Sequence, residues 1–103
     1  MGEFFLDSEV VRVCFQDDNW VDVKEELTQA DQDYIMGQMV KGEVIKPELG
    51  RIPLLERSIV AWSFPEPVNR ENIIRLRVRY RVKVLNEINR LNEQALKFVS
   101  KKS

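Results

Sequence analysis

Few side chains in this sequence could perform catalysis or hold a metal ion. The 103 residues include no histidine and one cysteine, Cys14, which argues against the common zinc-site spacings and rules out a disulfide within the chain. The acidic pairs Asp17-Asp18 and Glu25-Glu26 fall in a predicted turn and just before a predicted helix, where solvation and helix charge explain them. A glycine-rich phosphate loop and a Gly-x-Ser-x-Gly nucleophile motif are also absent. We therefore expect no enzymatic activity, no catalytic residue, no metal ion and no cofactor.

The most distinctive charged pattern is a run of five alternating cations, which we call the basic comb. It consists of Arg75, Arg77, Arg79, Arg81 and Lys83, with Tyr80 among the arginines. Clustered guanidinium groups beside an aromatic ring could bind nucleic-acid phosphates and bases. They could equally contact acidic segments of this chain or of another copy, or an acidic protein partner.

The distribution of charge makes nucleic acid the least favoured of these partners. Residues 1–68 contain 14 acidic and 6 basic residues, a net charge of −8, whereas residues 69–103 contain 3 acidic and 10 basic residues, a net charge of +7. The whole chain has a sequence pI of about 5.5, so its acidic part would repel a polyanion at close range. Such a division could instead hold parts of one molecule together, align copies into a homo-oligomer, or recruit a charged protein.

Two aromatic residues, Trp62 and Phe64, are candidates for a partner-binding anchor. They stand just before Pro65, and aromatic side chains carry a large share of the binding energy at protein interfaces. The alternative is that both simply close the hydrophobic core beneath the last helix.

The elements that must position these residues begin with a β-hairpin over about residues 9–24. Val11, Val13 and Phe15 occupy alternate positions of the first strand, so one face should carry all three. The second strand follows after a turn of about three to five residues and should place Val21 and Val23 opposite them. An isolated hairpin is marginally stable in water, so it must pack on helices or pair with another chain.

Three helices are predicted after the hairpin. Thr28 and Asp31 form a capping-box pattern that starts a helix over about residues 29–41, with Gly42 as its left-handed end and 43–50 as a surface connection. A second helix over about 52–64 follows from Pro53 in its first turn and from an apolar stripe ending at Trp62. A long third helix over about 69–99 should start at the N-cap Asn69, with its apolar ladder at Ile73, Leu76, Tyr80, Val84, Ile88, Leu91, Ala95 and Phe98.

The basic comb carries conflicting signals for secondary structure. Residues 74–84 alternate apolar and basic with period two, which is typical of a strand with all five cations on one face. We favour a helix, because no turn residue separates this stretch from the helical pattern that follows. In a helix, Arg77 and Arg81 project toward the apolar sector and need carboxylate partners or an interface. Together the elements predict a mainly helical α+β fold in one domain of residues 1–103.

Two segments of the sequence resemble a known family. Residues 19–31, with Trp20-Val21, Val23-Lys24, Leu27-Thr28 and Asp31, are similar to the opening "W-V-x-[VL]-[KR] … L-T-x-x-[DE]" of phage tail assembly chaperones of long-tailed phages. Residues 59–64, with Ile59, Trp62, Ser63 and Phe64, resemble the later "I-x-x-W-[ST]-[FL]" segment. The resemblance covers roughly residues 10–95, but the basic comb is not typical of that family.

This resemblance implies a non-enzymatic bacteriophage protein of virion morphogenesis. Such a chaperone binds the tape measure protein and helps tail tube proteins to polymerise around it, and the family commonly makes a longer form by ribosomal frameshifting. The start of the chain lacks the basic and long apolar segments of a secretory signal. We therefore expect a protein that lies in the host cytoplasm and does not associate with a membrane. Two alternatives stay open: a structural head-tail connector or minor virion protein, and a small nucleic-acid-binding regulator.

Overall fold

The computed structural model of the chain describes residues 9–102, with side chains described for residues 9–93. A three-stranded antiparallel sheet combines β1 (Val10–Cys14), β2 (Trp20–Lys24) and β5 (Ile59–Trp62) in the order β1-β2-β5. The helices are α1 (Gln29–Met39), α2 (Arg51–Ser58), α3 (Arg70–Arg75) and α4 (Val78–Lys102), and α4 is the longest. The predicted α+β class, mainly helical with an N-terminal hairpin, is therefore confirmed.

The N-terminal hairpin forms in the predicted register. Val11 lies opposite Val23 and Val13 opposite Val21, and Val13, Val21 and Val23 are buried. The turn closes where the Phe15 amide donates to the Asn19 carbonyl at 2.9 Å, and Asp18 adopts a positive φ of 69°. Aspartate tolerates this left-handed conformation better than most residues, so the turn chemistry in the sequence matches the backbone.

The first helix starts as predicted and ends earlier. Thr28 and Asp31 form the complete capping box at the N-terminus of α1. The predicted helix over 29–41 is two residues too long, because Val40–Lys41 (β3) pairs with Val44–Ile45 (β4) in a short exposed hairpin. Gly42 has the predicted left-handed φ, 64°, but it serves the turn of this hairpin. The predicted surface connection over 43–50 thus contains β4 and a 3-10 turn at Pro47–Gly50.

The predicted helix over 52–64 is wrong in its second half. The helix α2 ends at Ser58, and β5 continues directly from it. The pairing of β5 with β2 is irregular: Val23 faces Ile59 while Asp22 faces Ala61, so Val60 is an extra residue in the strand. This bulge turns Ile59 and Trp62, three residues apart, to the same buried side. A bulged strand therefore reproduced the apolar spacing expected of a helix.

The predicted single helix over 69–99 is interrupted. Asn69 caps α3 by accepting a hydrogen bond from the Asn72 amide at 2.9 Å, as predicted, but Leu76 is extended with ψ 141°. A new helix, α4, then begins where the Arg77 carbonyl accepts from the amides of Tyr80 and Arg81. Leu76 packs on the core in this extended conformation, which favours the break although the sequence has no glycine or proline here.

The core lies between the inner face of the sheet and the helices α2, α3 and α4. Its buried members are Val13, Val21, Val23, Leu55, Ile59, Trp62, Ile73, Val84, Ile88 and Leu91. Residues 74–84 contain no strand, so the helical interpretation is confirmed except at residues 76–77. The predicted ladder of the last helix is buried or half-buried from Ile73 to Leu91, and its last two members, Ala95 and Phe98, lie outside the described side chains. Within the described part of the chain, every helix is too short or too polar to cross a membrane.

Candidate functional site

The five cations of the basic comb do not share one face. A helix turns by about 100° per residue, and the break at residues 76–77 adds a further change of direction. Arg75 and Arg77 flank the α3–α4 junction, Arg79 and Lys83 lie beside the first hairpin loop, and Arg81 lies on the side of α2. The comb is therefore divided among three separate surfaces, and its five cations do not form the single row that the strand alternative would give.

An aromatic chain connects two of these surfaces. The rings of Trp62 and Phe64 meet edge to face with centroids 5.5 Å apart, and Phe64 lies 5.5 Å from Tyr80, which lies 4.6 Å from Phe15. Trp62 is buried and its indole N–H donates to the Glu66 carbonyl at 2.6 Å. The structure thus brings the anchor candidates Trp62 and Phe64 together with Tyr80 of the basic comb, with Trp62 in the core and Phe64 half-exposed at its edge.

The first surface is an open cleft of about 280 Å³ at the α3–α4 junction, which we call the junction cleft. Its lining combines aromatic, apolar and cationic side chains: Trp62, Phe64, Glu66, Asn72, Arg75, Leu76, Arg77 and Tyr80. Within residues 9–93, neither Arg75 nor Arg77 has a carboxylate within 4.0 Å, and both are exposed. Such a cleft can bind an aromatic or aliphatic side chain together with a carboxylate.

The second surface is a contact between the hairpin loop and α4. The Tyr80 hydroxyl donates to Asp17 Oδ2 and accepts from Arg79 at 3.1 Å, while Arg79 lies 3.7 Å from the same carboxylate. The hydrogen bond from Tyr80 is the main cause that lowers the pKa of Asp17. Lys83 lies 5.6 Å from the centre of the Phe15 ring. Arg79 is therefore engaged within the molecule. No local pattern in the sequence predicts the contact between Asp17 and Tyr80, which are 63 positions apart.

A third polar group lies on the other side of the molecule, around Asp31. This carboxylate is 3% exposed and accepts from Lys24 Nζ at 2.9 Å and from the Thr28 amide at 3.1 Å. Arg57 contributes a further cation at 3.8 Å. Burial alone would raise the pKa of Asp31, but the hydrogen bonds from Lys24 and Thr28 outweigh it and lower the pKa. Both hydrogen bonds go to Oδ2, and Arg57 lies nearest Oδ1. Asp31 thus serves as the acidic residue of the α1 capping box.

The two segments that carry the family resemblance are bonded to each other. The Trp20 amide donates to Ser63 Oγ at 2.9 Å and the Ser63 amide donates to the Trp20 carbonyl at 3.0 Å. The Ser63 hydroxyl in turn donates to Asn19 Oδ1 at 3.0 Å. Residues 19–31 and 59–64 thus form one contiguous unit, which positions Phe64 at the junction cleft.

Comparisons with known protein families, with curated proteins and with solved structures find no match.

Cys14 lies at the end of β1, an edge strand of the sheet, and its side chain is exposed. Throughout residues 9–93, no three His, Cys, Asp or Glu side chains are grouped closely enough to form a metal site.

Proposed function

We propose that this chain is a non-enzymatic tail assembly chaperone of a long-tailed phage. It binds the tape measure protein in the host cytoplasm and assists polymerisation of the tail tube protein around it. The observation that carries the proposal is the junction cleft, where Phe64 and Tyr80 stand beside the guanidinium groups of Arg75 and Arg77, which have no ion pair among residues 9–93.

The composition of the junction cleft is that of a protein-binding site. Aromatic side chains and arginine are the residues most enriched at the energetic centres of interfaces. Here the aromatic wall is rigid, because Phe64 packs between Trp62 and Tyr80. The two arginines are exposed, and Arg75 donates a long hydrogen bond of 3.4 Å to Asn72 Oδ1. A partner carboxylate would gain charge-assisted hydrogen bonds without breaking an ion pair among residues 9–93.

The family resemblance supports the choice of partner. Its two segments make the strand pairing of β2 with β5 and the Ser63 hydrogen bonds, so they share a common structural task rather than two unrelated ones. Phe64, the last residue of the second segment, projects from this unit into the junction cleft. In that family the tape measure protein is long and helical, and a chaperone that binds it needs an exposed surface of this kind.

Association of several copies is part of the proposal. The net charge of −8 on residues 1–68 and of +7 on residues 69–103 makes the two parts of the chain electrostatically complementary between molecules. Copies bound along one extended partner would place these parts near each other. Light scattering of the purified protein at several salt concentrations measures this association.

The test is a tagged pull-down from phage-infected cells, with bound proteins identified by mass spectrometry and nucleic acid assayed in the same eluate. The wild type should recover a very long tape-measure-like protein, and the double substitution Arg75→Glu with Arg77→Glu should abolish that recovery. The matched control is Lys41→Glu with Lys46→Glu, which changes the net charge equally on the exposed β3–β4 hairpin. Its recovery should equal that of the wild type.

Other results would contradict the proposal. Equal loss in both double variants would show a general effect of charge rather than a site. Recovery of portal or capsid proteins would favour a head-tail connector, and recovery of DNA that salt removes would favour a nucleic-acid-binding regulator.

A further inference from the structure

A separate groove lies between α2 and the first turns of α4, away from the junction cleft. Its floor and walls are apolar, and two cations stand among them: the lining is Arg51, Ile52, Leu55, Val78, Arg81, Val82 and Leu85. The groove encloses about 160 Å³. Val78 is 62% exposed and Val82 is 47% exposed, so two large apolar side chains face solvent along its rim.

The apolar residues of the groove follow the spacing of a helix surface. Val78, Val82 and Leu85 are four and three residues apart on α4, and Ile52 and Leu55 are three apart on α2. Two neighbouring helices with such rows leave a depression into which the side-chain ridge of a third helix can pack. Recognition of an amphipathic helix in an apolar groove uses this geometry.

Arg81 is a cation in the lining of the groove that lacks an acceptor within the described part of the chain. Its Nε atom is buried and has no hydrogen-bond partner in the described part of the chain, and no carboxylate there lies within 4.0 Å of its guanidinium group. A buried donor that lacks an acceptor is costly, more so when it is charged. Arg51, the second cation of the lining, also lacks an ion pair among residues 9–93.

We infer that this groove binds an amphipathic helix of a partner protein, with an acidic residue of that helix accepting from the terminal guanidinium nitrogens of Arg81, because its Nε is buried. The apolar rows favour an apolar helix face, and Arg51 and Arg81, which have no ion pair in the described part of the chain, favour acidic residues along the edge of that helix. The inference rests on the proposed protein-binding function, and it adds a second contact site and the chemistry of its ligand. The spacing of the sequence predicts that Arg81 needs a carboxylate or an interface, but it contains no local signal for the groove.

The experiment uses two fluorescein-labelled, stapled helical peptides of about 15 residues, long enough to hold a helix once stapled. Both carry the same leucine face; one has glutamates along its polar face and the other has lysines at the same positions. Fluorescence anisotropy with the full chain should show binding of the acidic peptide only. Arg81→Gln should weaken that binding by about tenfold or more, as expected when a charged hydrogen bond is lost.

Two further variants test the apolar wall. Val82→Glu should weaken binding of the acidic peptide at least as strongly, because it places in the groove a negative charge that repels the glutamates of the peptide. The matched controls are Val60→Glu, at a valine that is 48% exposed on β5, and Arg90→Gln, farther along α4. Both should leave affinity within about twofold of the wild type, as remote surface substitutions usually do. Circular dichroism of each variant verifies that the fold is retained.

Three outcomes would overturn the inference. The first is equal affinity for the acidic and basic peptides, or no binding of either. The second is an equal effect of Arg81→Gln and Arg90→Gln. The third is dimerisation of the wild type that Val82→Glu abolishes, which would assign the groove to a second copy. Arg75→Glu with Arg77→Glu should retain peptide binding, so the inference can fail while the pull-down result stands, and the reverse.

Discussion

The Asp31 network and the junction cleft are both charged, but they use their charges in opposite ways. Asp31 is buried and accepts hydrogen bonds from Lys24 and Thr28. Arg75 and Arg77 are exposed and have no ion pair within the described side chains. The first arrangement is closed and stabilises the junction of β2 with α1, whereas the second keeps its hydrogen-bonding capacity for another molecule.

The difference separates charges that hold the fold from charges that are available for binding. Breaking a buried, hydrogen-bonded carboxylate leaves other buried groups without partners. Removing an exposed cation without partners costs the folded chain almost nothing. Substitutions in the two regions should therefore have contrasting effects on stability and on partner recovery.

The largest effect on stability is expected for Asp31→Ala. It removes the acceptor of Lys24 and of the Thr28 amide at the start of α1, and it should lower the free energy of unfolding by about 3 kcal/mol. Urea denaturation followed by tryptophan fluorescence measures this change. Asp33→Ala, an exposed aspartate in the same helix, serves as control and should change the free energy by less than about 0.5 kcal/mol.

Acid provides an independent measurement of the same network. The pKa of Asp31 is lowered in the folded chain from its ordinary value of 3.8, so the carboxylate stabilises the fold above that pH. This stabilisation is lost as pH falls through the lower folded pKa. Asp31→Ala should therefore reduce the loss of stability below pH 3.8. An unchanged acid profile in the variant would show that Asp31 does not stabilise the fold as described.

Local patterns in the sequence predicted the N-terminal hairpin and the Asp31 capping box better than they predicted the elements around the junction cleft. The Thr28–Asp31 capping box depends on residues three apart, and the hairpin register depends on an alternation that the turn completes. The same kind of local pattern failed at Ile59–Trp62, because a bulge gave a strand the spacing of a helix. It also failed at Leu76, where packing on the core rather than a glycine or proline interrupts the helix.

The junction cleft and the contact between the hairpin loop and α4 are formed by residues far apart in the sequence, so no local pattern predicts them. The aromatic members Trp62, Phe64 and Tyr80 were predicted from their residue types, and the structure brings them together. Their link to Phe15 and Asp17 joins positions more than 60 residues apart. The helical turn of α4 separates Arg81 from Arg79 and Lys83. The break at 76–77, for which the sequence contains no local signal, places Arg75 and Arg77 at a further surface.

Tyr80→Phe tests a contact intermediate between the closed and open regions. It removes the hydroxyl that donates to Asp17 and accepts from Arg79 while keeping the ring between Phe15 and Phe64. The pKa of Asp17 should rise toward its ordinary value, because the bond from Tyr80 is the main cause of its lowering. Carboxyl NMR titration measures this change, and the loss of stability should be smaller than for Asp31→Ala.

The control for this contact is Tyr34→Phe, which removes the hydrogen bond from Tyr34 to Glu56 at the other side of the molecule. It should leave the pKa of Asp17 unchanged. A similar rise in both variants would mean that the titration reports a general loosening of the fold and not the contact between the hairpin loop and α4.

The smallest effect on stability is expected where the effect on binding is largest. Arg75→Gln with Arg77→Gln removes two exposed cations without ion pairs in the described chain, and it should change the free energy of unfolding by less than about 0.5 kcal/mol. Urea denaturation measures that change, and the pull-down should lose the partner protein in the same sample. A clear loss of stability would mean that these arginines support the α3–α4 junction, and the junction cleft would then belong with Asp31 among the charges that hold the fold.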